Sequence, residues 1–455
     1  MTTEMLSQKR VKRTDNGTVR KIALDLLLNS NKTGKYIDRV LSDALGRSDM
    51  PSRDKNFLME LVKGVTRMQG LLDYYLVELS DGKVANLPLP IKYIIYIGMY
   101  QLIFMDSVPP YAALNESVEL SKRLKDRKMT GLVNALLRNF QRRREEIDEK
   151  IDSLPPEERL SAKYSHPAWV IRRWLDRFGL SDTEELCSFN NAVPVITVRQ
   201  NVLLDNHPRL DAALSEENQN IQVSKFANRY FDLPGGFDVF RWDAIKEGEV
   251  TVQDVSAGLS VLLLDPQPGE TVIDMCAAPG GKTGAIAERM KDEGRVIAVD
   301  SDKYRLSLVE KQAERLKLKS VELIEGDGTN ISLPTADRIL VDAPCSGTGV
   351  FAKRSDIRWR KSEKDIEELS SLQVDLLRNA ARQLKKGGIL VYSTCTMEPE
   401  ENSGVVREFL REHENFKVDD AANFVEESLT EAGAVATYPF KHYIDGSYSV
   451  RLLKN

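Results

Sequence analysis

From Gly248 onward the chain repeats one pattern, a short apolar run followed by a stretch with helical spacing. The runs are "ETVIDMCA", "GRVIAVD", "SVELIEGD", "DRILVDAPC" and "GGILVYSTC". Apolar runs this short, without polar alternation, read as strands buried on both faces, and strands alternating with helices build a parallel, doubly wound sheet. Such a sheet binds its ligands beyond the carboxyl ends of its strands. Chemistry-bearing residues stand at or just past those ends: Cys276, Asp300, Asp327, Asp342, Cys345 and Cys395.

The rest of the chain is organised differently. Leu24, Leu27 and Leu28 form one stripe and Leu132, Val133, Leu136, Leu137 and Phe140 another, at the three- and four-residue spacing of amphipathic helices. Prolines in "LPLP" (87–90) and "VPP" (108–110) punctuate this helical part, because proline lacks a backbone donor and disfavours helix just before it. The expected organisation is therefore a flexible basic tail over 1–17, a helical bundle over 18–150, a small α/β connector over 151–247 that contains "HPAWVIRRWLDRFG" and the β-rich "VPVITVRQN", and an α/β domain over 248–455. A length of 455 residues suits two or three domains.

Charge separates the same parts. Residues 1–150 hold 26 Lys and Arg against 19 Asp and Glu, a balance of +7, while the whole chain carries −5, which leaves −12 for the remainder. The basic clusters are Lys122-Arg123, Lys125, Arg127-Lys128 and Arg138 with Arg142, Arg143 and Arg144. They suit a phosphate backbone, and a solvated helix face would look the same. The longest apolar stretch, Tyr93 to Met105, is broken by Gln101 and falls short of the ~18 residues of a membrane span. No apolar segment follows the basic start, so neither a membrane nor a secreted location is expected, and the cytoplasm is. Four cysteines and four histidines without CxxC or HExxH spacing point to no metal site and no disulfide framework.

The loop "DMCAAPGGKTG" follows the first strand. Gly280 and Gly281 permit a tight turn and a close ligand approach at a helix start. A phosphate-binding GxxxxGK[ST] loop needs glycine where Cys276 stands, and glycines at 280, 281 and 284 do not make GxGxxG. A nucleoside site or a plain strand-to-helix turn remains. Asp300, about 20 residues on, can accept from ribose hydroxyls, or it can cap the helix near Asp302. Asp327 can meet an adenine amino group or shape a turn.

Taken together, "DMCAAPGGKT", "VDAPCSGTG" and "YSTCT" resemble the Nop/Sun family of S-adenosyl-L-methionine-dependent RNA (cytosine-5) methyltransferases. "DKNFLMELVKGVTRMQGLLDYYL", "YQLIFMDSVPPYAALNESVELSKR" and "GLVNALLRNF" are similar to the NusB-like RNA-binding domain, so the resemblance covers nearly everything after residue 17. It implies an all-α NusB-like front, an α/β connector and a Rossmann-like methyltransferase domain. It also implies S-adenosyl-L-methionine as cofactor and a monomer acting on 16S ribosomal RNA, naked or in an early assembly intermediate.

Carried over residue by residue, the cofactor loop falls on Cys276, Ala277, Ala278, Pro279, Gly280, Gly281 and Lys282, the ribose carboxylate on Asp300, and the residue near adenine on Asp327. The resemblance implies catalytic roles for three residues: Cys395 as the nucleophile that adds to carbon 6 of cytosine, Asp342 at ring nitrogen 3 and beside the cofactor, and Cys345 in product release. Buried, unreactive packing is the other reading of both cysteines, and the one adopted for Cys187. The carboxyl-terminal "DGSYS" departs from the family's aromatic pair, which puts the packing of the last strand in question. Two other functions fit parts of the pattern. A transfer-RNA cytosine-5 methyltransferase shares the catalytic motifs but usually lacks such a front, and a non-catalytic RNA-binding factor has no use for two strand-end cysteines.

Overall fold

A computed structural model describes residues 16–46, 50–80, 82, 87–216, 220–239 and 241–455. Of the basic tail expected over 1–17, residues 1–15 lie outside the described residues. The chain forms two compact units. One comprises the described residues up to Asn191 together with Arg354–Arg360, and the other comprises Ala192–Lys353 and Lys361–Asn455.

The first unit is helical: α1 (Asn16–Thr33), α2 (Ile37–Leu45), α3 (Ser52–Arg67), α4 (Gln69–Leu79), α5 (Leu89–Phe104), α6 (Pro110–Lys122), α7 (Arg127–Asp152), α8 (Pro156–Lys163) and α9 (Ala168–Asn191). Helix α5 is apolar on nearly every side, and Ile91, Ile94, Ile95, Tyr96, Ile97 and Met99 are all buried, as an all-round apolar helix at the centre of a bundle must be. The prolines read as punctuation stand in the first turns of α5 and α6, where a missing N–H costs nothing. Asp126 caps α7 by accepting from the backbone N–H groups of Lys128 and Met129. The unit runs past residue 150 and keeps α8 and α9, so the connector's share of the second unit begins at Ala192.

Segment 354–360 is held in this unit by polar contacts. The Arg358 guanidinium is fully buried and donates to the carbonyls of Ser165 and Asn190 and to Asn191 Oδ1. Trp359 Nε1 donates to the Thr66 carbonyl at 2.8 Å, and Asp356 accepts from the Ile37 N–H at 2.8 Å.

The second unit opens with a small antiparallel sheet in the order β2-β3-β1-β4, from β1 (Ile196–Gln200), β2 (Gln222–Val223), β3 (Tyr230–Leu233) and β4 (Val250–Val252). After α10 (Pro208–Ser215), α11 (Asp243–Lys246) and α12 (Val255–Leu264) comes a nine-stranded sheet. Its parallel part is ordered β7-β6-β5-β8-β9: β5 (Thr271–Met275), β6 (Arg295–Asp300), β7 (Val321–Glu325), β8 (Ala336–Asp342) and β9 (Leu384–Thr394). These are the five apolar runs. Alternate residues serve opposite faces. Ile273, Ile297, Ile339 and Leu390 pack with α15 (Glu363–Gln383), while Val272, Val296, Leu340 and Val391 pack with α12 and α13 (Gly281–Arg289).

The sheet is mixed, where the sequence pattern pointed to a parallel one. Strand β13 (Ser447–Lys454) pairs antiparallel with β9, β10 (Phe416–Asp419) and β12 (Ala434–Thr437), which in turn pairs with β11 (Thr430–Glu431); the link from β12, residues 438–446, is too short for the crossover that a parallel pair needs. The questioned "DGSYS" packs without an aromatic pair. Ser447 and Ser449 are buried, Ser449 Oγ donates to Ser393 Oγ at 3.1 Å, Ser447 Oγ meets Thr437 Oγ1 at 2.9 Å, and Tyr448 sits edge-on to Tyr392.

Candidate active site

Because β5 to β9 run parallel, their carboxyl ends share one edge, and the candidate residues named from sequence gather there. The loop after β5 is shaped by Cys276 in the left-handed region (φ 65°) and by Gly280 (φ 102°), where a Cβ would sit 3.0 Å from Val309 Cα of α14 (Lys303–Arg315). Asp300, at the end of β6, is 4% exposed and accepts from the N–H groups of Ala278 (3.3 Å) and Asp302 (3.1 Å). It does not cap α14, since Asp302 does so through Tyr304 and Arg305. Arg305 ties this corner together by donating to the Ala278 carbonyl and pairing with Asp300 at 3.4 Å.

A cleft opens here, walled by Cys276, Asp300, Asp327, Gly328, Pro344 and Leu372. Asp327 is exposed and both its carboxylate oxygens are engaged, by Thr329 and by Asn330, so it shapes the turn after β7. Burial drives the Cys276 thiol up to about 12, which keeps it protonated.

Across β5 from Asp300, Lys282 of α13 pairs with Asp342 at the end of β8 at 2.5 Å. Beneath them Asp274 of β5 is fully buried, with Oδ2 accepting from Thr283 Oγ1 at 2.6 Å and Oδ1 without a hydrogen-bond partner among the described residues. Burial first, and the Asp342 charge second among the raising causes, push the Asp274 carboxyl up to about 7, against the Thr283 bond.

The two cysteines meet: Cys345 Sγ lies 3.1 Å from Cys395 Sγ and accepts from the Cys395 N–H at 3.3 Å. Both are half-buried, and neither is in a disulfide. The hydrogen bond with Cys395, and then burial, hold the Cys345 thiol well above its ordinary pKa. Cys187 is fully buried in α9 of the first unit.

A polar scaffold that sequence reasoning missed stitches the two cysteine loops together. Ser346 Oγ, Thr348 Oγ1 and Thr396 Oγ1 form a hydroxyl chain, with Ser346 and Thr348 2.7 and 2.9 Å from Thr396, and the Thr348 hydroxyl oxygen accepts from the Met397 N–H. The Glu401 carboxylate, fully buried, accepts from the Ser346 N–H (2.8 Å), the Ser346 hydroxyl and Gln373 Nε2 (3.0 Å). Asn402 accepts from Thr394 Oγ1 and donates to the Thr396 carbonyl. Lys353, Asp254 and Asp445 form a second cluster: the ammonium lies between the two carboxylates, 2.9 Å from Asp445, and their charges raise its pKa against the cost of burial. Among the described residues no group of three or more His, Cys, Asp or Glu side chains is placed to hold a metal ion, and no helix is long and apolar enough to cross a membrane.

A Rossmann-like sheet with a cleft at the carboxyl ends of its parallel strands and two thiols near it defines a methyltransferase catalytic domain, here joined to a helical NusB region. Residues 261–453 match the family model described as 16S rRNA methyltransferase RsmB/F, residues 18–142 the NusB family, and residues 166–239 the ferredoxin-like domain of RsmF/B-like methyltransferases. The chain is 34% identical to the probable ribosomal RNA small subunit methyltransferase B of Synechocystis sp., over 96% of this chain and 99% of that one. It is 33% identical to the ribosomal RNA small subunit methyltransferase B of Yersinia pseudotuberculosis, over 96% and 98%. The crystal structure of PH0851 superposes with a TM-score of 0.80 at 26% identity, covering 98% of this chain and all of that one. The chain belongs to the ribosomal RNA small subunit methyltransferase B family, and is an rRNA methyltransferase that uses S-adenosyl-L-methionine. The cleft fits that cofactor, with a buried carboxylate at the end of β6 for hydroxyl groups and apolar walls from Val299, Leu372 and Leu376 for a base.

Proposed function

We propose that this protein methylates carbon 5 of a cytosine in 16S ribosomal RNA through a covalent bond between Cys395 Sγ and carbon 6 of the base. The observation that carries the reading is the pair of thiols 3.1 Å apart at the mouths of β8 and β9, beside the cofactor cleft whose wall includes Pro344.

Carbon 5 of cytosine is too weak a nucleophile to take a methyl group unaided. Addition of the Cys395 thiolate to carbon 6 makes it enamine-like and divides one hard step into two easier ones. Asp342, held by Lys282, faces ring nitrogen 3 and favours the addition. S-adenosyl-L-methionine supplies the methyl group. Release then requires the proton on carbon 5 to leave as the sulfur–carbon 6 bond breaks, and Cys345, next to the reacting sulfur, is the group that assists it. Asp300 holds the ribose hydroxyls, and the loop from Cys276 to Lys282 borders the rest of the cofactor. Asp327 contributes by fixing the turn at Gly326–Gly328 rather than through a free carboxylate. The target base must be unstacked, since carbon 6 is shielded inside a helix. The exposed cations at the α6–α7 junction, Arg123, Lys125, Arg127 and Lys128, have no ion-pair partner among the described residues and face the phosphate backbone.

The test is methylation of small-subunit ribosomal RNA with labelled cofactor, followed by mapping of the modified base. Cys395→Ala is expected to give no methylation and no adduct, whereas Cys345→Ala accumulates a protein–RNA band that persists on a denaturing gel. A label on any position other than cytosine carbon 5, or an adduct formed without Cys395, overturns the mechanism.

A further inference from the structure

The reaction above uses the two thiols in sequence, and their geometry permits a second chemistry that competes with it. Their sulfurs are 3.1 Å apart, and a disulfide needs ~2.05 Å, so bond formation requires a closure of only about 1 Å. The loops that carry them are already fixed against each other by the Gly349 N–H to Cys395 carbonyl bond (3.1 Å), by Ala343 N–H to the Ser393 carbonyl (2.9 Å) and by the hydroxyl chain of Ser346, Thr348 and Thr396. Both cysteines are half-buried residues, and Pro344, next to Cys345 in the chain, lines the cleft.

We propose that Cys345 and Cys395 form a reversible intramolecular disulfide under peroxide, which switches the enzyme off and shields its nucleophile from irreversible oxidation. The Cys395 thiolate attacks one peroxide oxygen, the O–O bond breaks, and sulfenic acid and hydroxide result, the latter taking up the thiol's proton as water. The Cys345 sulfur then attacks the sulfenic sulfur, the S–O bond breaks and a second water leaves with the Cys345 proton. In sum two thiols and one hydrogen peroxide give one disulfide and two waters, with two electrons passing from the sulfur pair to the peroxide. A dithiol reductant reverses the change by exchange. Without a neighbouring thiol a sulfenic acid proceeds to sulfinic acid, which dithiols do not restore. The order of attack follows the proposed reaction, in which Cys395 is the nucleophile and Cys345 its neighbour at 3.1 Å. The remaining thiols do not compete, since Cys187 and Cys276 are each pushed up to about 12 by burial, where the thiolate is scarce.

The experiment uses the full chain, reduced and then treated with stoichiometric hydrogen peroxide. Thiols are counted by maleimide labelling after denaturation, and disulfide-linked peptides are mapped by mass spectrometry. The count is expected to fall from four to two, with a single linkage joining Cys345 to Cys395, loss of methylation in the same proportion, and recovery of both with dithiothreitol. In Cys345→Ala, treated beside wild type with excess hydrogen peroxide because sulfinic acid consumes two equivalents per thiol, and scored by labelling and mass alone, Cys395 is expected to gain two oxygens and to stay unlabelled after dithiothreitol. The inference is overturned if four thiols persist while activity remains, if the linkage involves Cys187 or Cys276, or if wild-type Cys395 is lost to sulfinic acid as readily as in the variant. Because the linkage is read by mass, it can fail while the methylation mechanism stands, and the reverse.

Discussion

Replacing Asp274 by asparagine should change how the protein's stability depends on pH, and the structure sets the size of the change. The carboxyl is fully buried in β5, one of its oxygens lacks a hydrogen-bond partner among the described residues, and burial raises its pKa to about 7. In the unfolded chain an aspartate ionises near ~3.9. Between those values the folded protein holds a proton that the unfolded chain has lost, so stability falls as pH rises across the window. About three pKa units correspond to ~4 kcal/mol of stabilisation at low pH, of which ~1.5 is already lost by pH 5 and the remaining ~2.5 is lost between pH 5 and pH 8.

Asparagine has the same shape, can still accept from Thr283, and does not titrate. Urea unfolding followed by circular dichroism, with wild type and Asp274→Asn each measured at pH 5 and pH 8, isolates the contribution as a difference of differences. The wild type is expected to lose ~2.5 kcal/mol more than the variant on going to pH 8. Equal losses would mean that the Asp274 proton leaves at ordinary carboxylate pH and that the cluster with Lys282 and Asp342 is ionised throughout.

Asp300→Asn should weaken S-adenosyl-L-methionine binding by ~1–2 kcal/mol in calorimetry, through loss of charge-assisted hydrogen bonds, and unchanged affinity would remove the ribose assignment. Glu401→Ala leaves the Ser346 N–H without its acceptor and the Gln373 amide with only the Pro344 carbonyl, and should cost ~3 kcal/mol in chemical denaturation along with most turnover, whereas Glu401→Gln, which keeps an acceptor, should recover much of both. Replacing Arg123, Lys125, Arg127 and Lys128 together by glutamate should reduce the salt slope of rRNA binding by up to ~3 in filter binding while cofactor affinity holds, and an unaltered slope would move the RNA contact elsewhere.

Local periodicity made the sheet legible. Five apolar runs became the five parallel strands, and residues at their ends came to one edge because parallel strands leave no other arrangement. Cys345 and Cys395 could be placed at that edge for the same reason, though their separation could not. The scaffold around them was illegible because its partners lie far apart in sequence. Ser346 and Glu401 are 55 residues apart, and Lys353 and Asp254 99, and hydroxyls and carboxylates at such distances carry no periodicity that pairs them. Asp274 did leave a signal. A carboxylate inside "TVIDM", a strand buried on both faces, is out of place unless neutral or paired. The last strand was legible at "DGSYS" but its antiparallel direction was not, because the four-residue β12 beside it and the buried hydroxyls of Ser447 and Ser449 carry no pattern that sets it.

The lodging of residues 354–360 in the helical unit bears on the order in which the protein is made. The unit's other residues end at Asn191, so when they have left the ribosome the strip that carries Arg358 and Trp359 has not yet been synthesised. At ~5–20 residues per second it follows only after roughly 8–30 s, with much of the catalytic unit emerging in the interval. Until then the Ser165 and Asn190 carbonyls face water in place of a guanidinium, and the Thr66 carbonyl lacks the Trp359 indole. The amino-terminal region is thus a vessel sealed late, by a piece of chain translated from the middle of the methyltransferase motifs, and a fragment ending at residue 191 is an unfinished fold rather than a separable module.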